Sequence, residues 1–480
     1  MNGSFSALGL LTSLFLPWIL GSIWCYWLLS KSGRHNLFVI IGQGYLLGIS
    51  LTALTLGVWE FIGLPLWFWA TALTLLGMCV IGFFAIRGQS TTKIVVAKTP
   101  PLEKWQIVVT TFFILLISCR YTTLVQEITL RPLFSWDAWM NWSPKAIVWF
   151  HSGEFTPFVS PGEWLQQAED TTAYTMGARD SWKYPATVPL IQLWSMLATG
   201  TSDHTLIYLP WLLVILALGL ALYGHLRLAG ASIPLATLGC YALLNLPYIN
   251  VQTVLAGYAD TWVAATFGCA VFALHEWGEH RQWPYAVLSL LLALLCTQLK
   301  IPGLIMGGII VAVFLSSIIK FGKTSGITLL TALVLCIVYI AVFGVDFSIP
   351  NLGRIALSTD GITVPYIGSY ELSYHPVHHA IIDTTLLMIN WNLLWYLFIF
   401  LGLLRVANGT VFRTPSLALR SVLLALFFIF FVYYFTNRYI FAVDYTQVNR
   451  ALIYVIPPLV FYMMYACFTT LDFRQKNRPR

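Results

Sequence analysis

Long apolar segments limit what this chain can fold into. A transmembrane helix needs about 20 predominantly apolar residues, and runs of about that length recur from one end of the chain to the other. We place thirteen spans near 7–29, 37–58, 65–86, 107–125, 205–226, 233–252, 260–276, 285–299, 302–319, 326–344, 383–404, 417–435 and 451–470. The sequence therefore predicts an all-α polytopic membrane protein with about 13 transmembrane helices, since a helix satisfies its own backbone hydrogen bonds in lipid.

The charge content excludes the soluble classes of protein. Charged residues make up 9% of the 480 residues and hydrophobic residues 58%, whereas an average soluble domain is roughly 25% charged. A soluble chain of this length could not cover its surface with so few charges. Cytosolic enzymes, nucleic-acid binders, secreted disulfide scaffolds and disordered proteins are set aside. The eight cysteines all lie in apolar stretches without metal-binding spacing, which is typical of small core residues.

The basic residues predict how the chain is oriented. The apolar stretch at 186–200 is short, and we interpret it as a re-entrant or juxtamembrane helix. With that choice most Lys and Arg residues fall in alternate loops, which predicts that the N-terminus lies outside and the C-terminus in the cytoplasm. The first apolar run is read as a span and not a signal peptide, because no basic residue precedes Lys31. The expected location is a bacterial inner membrane or plasma membrane.

Two long outer loops, 126–204 and 345–382, exceed what a simple connection needs. They divide the chain into three parts: an N-terminal three-span extension at 1–106, a membrane module at 107–344 that contains the first loop, and a C-terminal part at 345–480 that contains the second. Function concentrates in loops of this kind.

A group of cations falls on the predicted outer side, where the positive-inside rule disfavours them. Either they bind an anion or they pair with the acids of the same loops. They are Arg120, Arg131, Lys145, Arg179, Lys183, Lys300, Arg354, Arg438 and Arg450.

The first outer loop opens with an acid among tryptophans. Asp137 stands beside Trp136, Trp139 and Trp142, whose spacing of three would place them on one face of a helix. Each Trp fits an aromatic belt at the headgroups or a platform on which a sugar ring stacks. A carboxylate next to three indoles at the membrane surface is poorly solvated, which suits general-base chemistry.

Two further motifs face the same side. Lys183, Tyr184 and Pro185 open the apolar stretch at 186–200, where the lysine would contact ordinary headgroups or one specific phosphate. Asp260 follows Gly257 and Tyr258 at the start of the seventh span, either as a helix cap or as a second acid beside Asp137. Two acids in one solvated pocket would suit general-base chemistry, or they would bind a divalent cation. A divalent cation is the one cofactor that these residues suggest. No residues are predicted as permanent metal ligands.

Together these motifs resemble the GT-C superfamily of integral-membrane glycosyltransferases, with protein O-mannosyltransferases and the aminoarabinose transferase of lipid A as the nearest types. The resemblance covers roughly 107–275. It implies transfer of a sugar from a polyprenyl-phosphate donor, with inversion, to a lipid, glycan or protein acceptor of the cell envelope. By the same resemblance Asp137 and Asp260 match the two loop acids. Lys183, Tyr184 and Pro185 match the Lys/His-Pro-Pro motif, although Ala186 replaces its second proline.

A mechanism also follows from the residues alone. Asp137 would remove the proton of an acceptor hydroxyl, and nearby cations would bind the lipid phosphate that leaves. The candidates for that phosphate are Lys183, Lys300, Arg438 and Arg450; Tyr184 and Tyr258 are candidates for the sugar or acceptor. The chain has no Gly-rich nucleotide loop, so a lipid-linked donor is favoured over a nucleotide sugar.

The second outer loop contains three histidines close together in sequence. His375, His378 and His379 would favour an interfacial helix with titrating imidazoles, with His375 and His379 on one face.

The alternatives to a glycosyltransferase are a polysaccharide polymerase or ligase that uses lipid-linked glycans, and a lipid or glycan transporter. A transporter would show internal repeats and charged residues at mid-membrane, and we find neither apart from Arg120 near a span end.

Overall fold

The computed structural model describes residues 5–89, 101–167, 172–176, 181–319, 331, 334–336, 338–350, 353–365, 367–408 and 416–476. Residues 326–330, 332, 333 and 337 of the predicted span 326–344 lie outside the described residues, as does the cation Arg179.

Helices make up most of the described chain. They are α1 Ala7–Leu29, α2 Leu37–Phe61, α3 Phe68–Arg87, α4 Lys104–Leu130, α5 Ser143–Ser152, α6 Pro161–Leu165, α7 Thr187–Thr199, α8 Leu209–Leu228, α9 Ile233–Leu244, α10 Pro247–Val254, α11 Asp260–His280, α12 Trp283–Thr297, α13 Ile301–Ile318, α14 His378–Ile382, α15 Leu394–Ala407, α16 Leu417–Phe435, α17 Ile440–Val443, α18 Val448–Leu452 and α19 Ile456–Lys476. Seven described helices are long and apolar enough to cross a membrane, namely α1 to α4, α8, α13 and α16. The chain therefore has the character of an all-α membrane protein.

Several predicted spans are broken or short in the structure. The span predicted at 233–252 splits into α9 and α10, because Pro247 starts a new helix at its first position. The stretch at 186–200 forms α7, a helix of 13 residues that is almost wholly buried and too short for a simple crossing. Apolar runs locate helices along the chain, but proline positions decide where they are interrupted.

Helix α11 forms the centre of the bundle. Every residue from Asp260 to Trp277 is buried, and the helix packs against α8, α12, α13, α16 and α19. A helix that is buried on all sides belongs in a core. Because α11 begins at Asp260, its first carboxylate lies inside the bundle at one end.

The second long loop contains a β-sheet that the helical prediction misses. Strands β1 Val345–Ile349, β2 Gly353–Leu357, β3 Gly361–Val364 and β4 Gly368–Glu371 pair consecutively and antiparallel. A glycine starts each of the last three strands, and this repeated turn signal was available in the sequence.

The predicted helical histidine face is also wrong. His375 lies before α14, and its ring stacks on Tyr439 with ring centroids 3.6 Å apart. Pro376 explains the boundary, because a residue before proline avoids helical backbone angles. The helix begins at His378, so His375 and His379 share no helical face.

Three basic loops meet at the end of the bundle opposite Asp260. Arg34 donates from Nη2 to the Leu228 carbonyl at 2.9 Å and accepts at its own carbonyl from the Tyr285 hydroxyl at 2.7 Å. Arg281 donates to the Ser317 carbonyl at 3.1 Å. The loops after α1, α8 and α11 are therefore neighbours.

Candidate functional site

Four charged side chains from distant parts of the chain form one network. Asp137, Asp260, Lys300 and Arg450 are joined by ion pairs, and we call this set the charge network. Asp137 comes from the first long loop, Asp260 opens α11, Lys300 precedes α13 and Arg450 lies in α18. Asp260 and Lys300 stand at the starts of helices and Arg450 lies within a short one, and the fold brings all four residues to one place.

Arg450 joins the two carboxylates. Its Nη2 lies 2.5 Å from Asp137 Oδ2 and 2.6 Å from Asp260 Oδ2, and its Nε donates to the same Asp260 oxygen at 3.1 Å. Hydrogen bonds between charged groups are roughly twice as strong as neutral ones. One guanidinium therefore holds both acids.

Asp260 is held on its other oxygen as well. Lys300 Nζ donates to Asp260 Oδ1 at 2.7 Å, and the Tyr454 hydroxyl donates to the same oxygen. The Asp260 side chain is fully buried, and Ala259 occupies the cap position, so Asp260 is the first residue of α11 and not its cap. The geometry favours the interpretation of Asp260 as an acid of the site over that of a helix cap.

Asp137 has fewer partners. Besides Arg450 on Oδ2, its Oδ1 accepts a hydrogen bond from Asn141 Nδ2, one helical turn further on. The exposed fraction of the side chain is 8% for Asp137, against 23% for Arg450 and 13% for Lys300. Arg450 is thus the member of the network that solvent, or a ligand, reaches first.

The Gly257 turn seats Asp137 against the bundle. Tyr258 accepts a hydrogen bond from the Asp137 amide at 3.4 Å, and its ring lies 4.9 Å from the Arg450 guanidinium carbon. Trp211 Nε1 donates to the Tyr258 carbonyl at 2.7 Å. Gly257 has φ +96°, and a Cβ there would lie 2.7 Å from the Ala138 Cβ. Only glycine fits both the backbone angle and the space.

Replacing Gly257 by Ala should therefore disturb the site. The left-handed backbone angle and the overlap with Ala138 together are expected to cost on the order of 1–3 kcal/mol of unfolding free energy. Thermal unfolding in detergent measures the change. Gly162→Ala is the control for adding a methyl group, because Gly162 lies in the first long loop with open space around it. Equal stability of Gly257→Ala and the unchanged protein would mean that this turn does not support Asp137.

The three predicted tryptophans do not form one face. Residues Ala138–Trp142 make a π-helical turn, whose wider spiral separates residues three apart. Trp136 and Trp139 are exposed by 57% and 46%, whereas Trp142 is fully buried. Trp142 stacks on Tyr184 with ring centroids 4.9 Å apart. Two indoles therefore remain accessible near Asp137, and the third packs inside the loop.

Lys145 fastens the two halves of the first loop together. Its Nζ donates to the Trp182 carbonyl at 2.9 Å and to the Tyr184 carbonyl at 2.8 Å, and the residue is 5% exposed. Because α5 follows the π-helical turn directly, Lys145 links the Asp137 segment to the Lys183 segment. Burial lowers the pKa of the Lys145 amine to about 8.

The contribution of Lys145 to stability should rise with pH. Between about pH 8 and about pH 10 the folded protein has released this proton while an unfolded lysine, whose pKa is about 10.4, still holds it. The difference in unfolding midpoint between the unchanged protein and Lys145→Met should therefore grow from pH 7 to pH 9.5. Exposed Lys183→Met is the control for losing a lysine in this loop and should cost no more than about 1 kcal/mol. A pH-independent difference would contradict the lowered pKa.

Two predicted phosphate ligands contact aromatic rings. Lys183 is exposed in a short 3-10 turn, with its Nζ 5.3 Å from the Trp182 ring. Arg438 lies over the rings of Tyr370 and Phe441, at 5.2 and 5.6 Å. Neither bonds a member of the charge network among the described residues. Lys300 and Arg450 are the predicted cations that the fold brings to the acids.

Sequence reasoning missed two polar partners, Asn141 and Tyr454. Each stands four residues after a predicted site residue, Asn141 after Asp137 and Tyr454 after Arg450. That spacing places two side chains on the same side of a helix, so helical periodicity offered a signal for both.

A divalent cation does not fit between the two acids. The Arg450 guanidinium already occupies the position between Asp137 and Asp260. Among the described residues no group of three or more His, Cys, Asp or Glu side chains could hold a metal ion.

The network combines one carboxylate at its edge, a second that is fully held, and two cations of which one is accessible. Such a group can accept a proton and bind an anion in the same place. No family model, curated protein or solved structure matches this chain.

Proposed function

We propose that this protein is a membrane glycosyltransferase, which moves a sugar from a polyprenyl-phosphate donor to an acceptor hydroxyl on the non-cytoplasmic face of the membrane. The observation that carries the proposal is the single guanidinium of Arg450 that holds Asp137 and Asp260 together. In this arrangement the proposed base, Asp137, accepts a hydrogen bond from the proposed phosphate ligand, Arg450.

Asp137 is the general base of the proposed reaction. It takes the proton of the acceptor hydroxyl while that oxygen forms a bond to the anomeric carbon. The bond between the anomeric carbon and the phosphate oxygen breaks, and its electron pair leaves with the lipid phosphate. Attack opposite the leaving group inverts the anomeric configuration. Asn141 holds the second Asp137 oxygen and so orients the carboxylate.

Arg450 is the proposed ligand of the departing phosphate. A guanidinium binds phosphate oxygens in a two-pronged geometry and neutralises charge as it develops. Asp260 acts as a positioning residue in this scheme, because Arg450, Lys300 and Tyr454 already engage both of its oxygens. It keeps both cations charged and correctly placed inside the bundle.

The exposed indoles supply a surface for the sugar. Trp136 and Trp139 flank Asp137 in sequence and remain largely exposed. Aromatic rings of this kind offer large apolar faces on which a pyranose can stack. Trp142 and Tyr184 stack on each other, so we assign that pair to the architecture of the loop.

Donor turnover by the purified protein in lipid nanodiscs tests this function. The protein would be incubated with polyprenyl-monophosphate sugars and candidate acceptors, and released polyprenyl phosphate would be measured by mass spectrometry. Release above an empty-nanodisc control supports the proposal. Release only from diphosphate-linked glycans would favour the polymerase or ligase alternative, and no release from either class would overturn both.

A transporter is the alternative that one observation favours. His225, His275 and Glu276 are buried in α8 and α11, with exposed fractions of 0%, 1% and 1%. Ionisable side chains inside membrane helices often mark ion or proton pathways. Movement of a polyprenyl-phosphate sugar across proteoliposomes, without cleavage of the sugar from its lipid, would favour this alternative.

A further inference from the structure

The contact between Asp137 and Arg450 creates a conflict within the proposed reaction. A carboxylate oxygen that accepts a hydrogen bond from a guanidinium cannot accept one from an acceptor hydroxyl at the same position. Arg450 Nη2 lies 2.5 Å from Asp137 Oδ2. In this arrangement the proposed base is held by the proposed phosphate ligand.

The hydrogen bonds of Arg450 show where a phosphate would enter. Nε and Nη2 both donate to Asp260, and Nη2 also reaches Asp137. Among the hydrogen bonds of the described residues, none engages Nη1. A phosphate that binds the guanidinium end-on takes Nη1 and Nη2 together, and therefore meets Asp137 at Nη2.

The two acids differ in how readily they release Arg450. Asp260 is fully buried and is held by Lys300 and Tyr454 as well. Breaking its contact would leave a charged group in the core with one cation fewer. Among the described residues, the Asp137 carboxylate keeps one hydrogen-bond partner, Asn141, when Arg450 turns away, and its side chain is 8% exposed. Asp137 is the acid that an incoming anion displaces.

We propose that the donor's phosphate activates the base: it binds Nη1 and Nη2 of Arg450, displaces Asp137 from Nη2, and frees the carboxylate to accept a proton. This inference rests on the proposed function and adds a way in which donor binding regulates the base. Without donor, Asp137 stays paired with Arg450. With donor bound, Arg450 keeps Asp260 on Nε while Asp137 faces the acceptor hydroxyl.

A polyprenyl phosphate without a sugar tests this exchange, since it binds and does not react. Its affinity would be measured for the unchanged protein, Asp137→Asn and Asp203→Asn in nanodiscs. Removing the competing carboxylate should tighten binding at least about tenfold in Asp137→Asn. Asp203→Asn is the matched control, an exposed acid of the same loop, and should bind like the unchanged protein.

Infrared difference spectroscopy with ¹³C-carboxyl aspartate provides a second measurement that needs no variant to fold. Adding the lipid phosphate to the unchanged protein should shift one carboxylate band, because one aspartate loses its guanidinium. If Asp137→Asn binds more tightly but the unchanged protein shows no shift of a carboxylate band, then Asp137 only repels the phosphate at long range. That result would overturn the exchange. Equal affinities would also overturn it and leave the proposed function standing. No binding by any of the proteins would overturn both.

Discussion

The Asp137→Asn variant is expected to fold and to lose polyprenyl-phosphate sugar turnover by a factor of about 10² to 10⁴, the usual contribution of a general base. Asparagine has nearly the shape of aspartate, and Arg450 keeps its two bonds to Asp260 in the variant. The proton of the acceptor hydroxyl then has no acceptor at this position. The measurement is released polyprenyl phosphate per molecule of protein in nanodiscs.

Asp203→Asn is the control for this experiment. Asp203 is an exposed acid of the same loop that makes only local contacts, so its loss should leave turnover within about twofold. Thermal unfolding must show that both variants are folded. Turnover near the original level in folded Asp137→Asn would remove Asp137 from the mechanism, whichever donor is used.

Replacing Arg450 by Met is expected to give the largest loss of stability. Among the described residues, the change leaves the nearly buried Asp137 carboxylate without a cation and leaves Asp260 with one cation, Lys300. Breaking a buried ion pair by removing one partner typically costs about 3–5 kcal/mol. The unfolding midpoint in detergent should fall clearly, and turnover should fall with it because the phosphate ligand is gone.

A double variant distinguishes two causes of the stability loss in Arg450→Met, an unpaired carboxylate charge and lost packing. If the loss in Arg450→Met comes from an unpaired carboxylate, then Asp137→Asn combined with Arg450→Met should be more stable than Arg450→Met alone. Arg354→Met is the control, because the Arg354 pair with Asp346 is more than half exposed and exposed pairs contribute about 0–1 kcal/mol. A double variant no more stable than the single one would assign the loss to packing.

Predictability differs among the site residues for physical reasons. Asp137 and Asp260 stand out in the sequence because a charged residue next to an apolar run is expensive to bury and so demands an explanation. Lys300 and Arg450 stand out in the same way. Lys183 and Arg438 carried the same sequence signal, yet among the described residues neither bonds a member of the charge network. The sequence identifies charged residues whose burial costs free energy, but it does not identify their partners.

The predictions that failed depended on local geometry. A spacing of three implies one face only in an α-helix, and the π-helical turn at Ala138–Trp142 breaks that assumption. The meander β1 to β4 was missed because its strands are only four or five residues long and mix polar with apolar residues. Short elements carry weak periodicity, so turn residues are the better guide there.

The amino-acid sequence alone determined that this chain enters a membrane as a set of helices, because apolar run length and scarce charge leave no other fold class. The assembly of the charge network was decided only by the packing of helices. Asp137 and Arg450 stand 313 positions apart, and their contact depends on which helix ends meet at the start of α11. That depends on how buried surfaces fit together in three dimensions, and no local pattern encodes it.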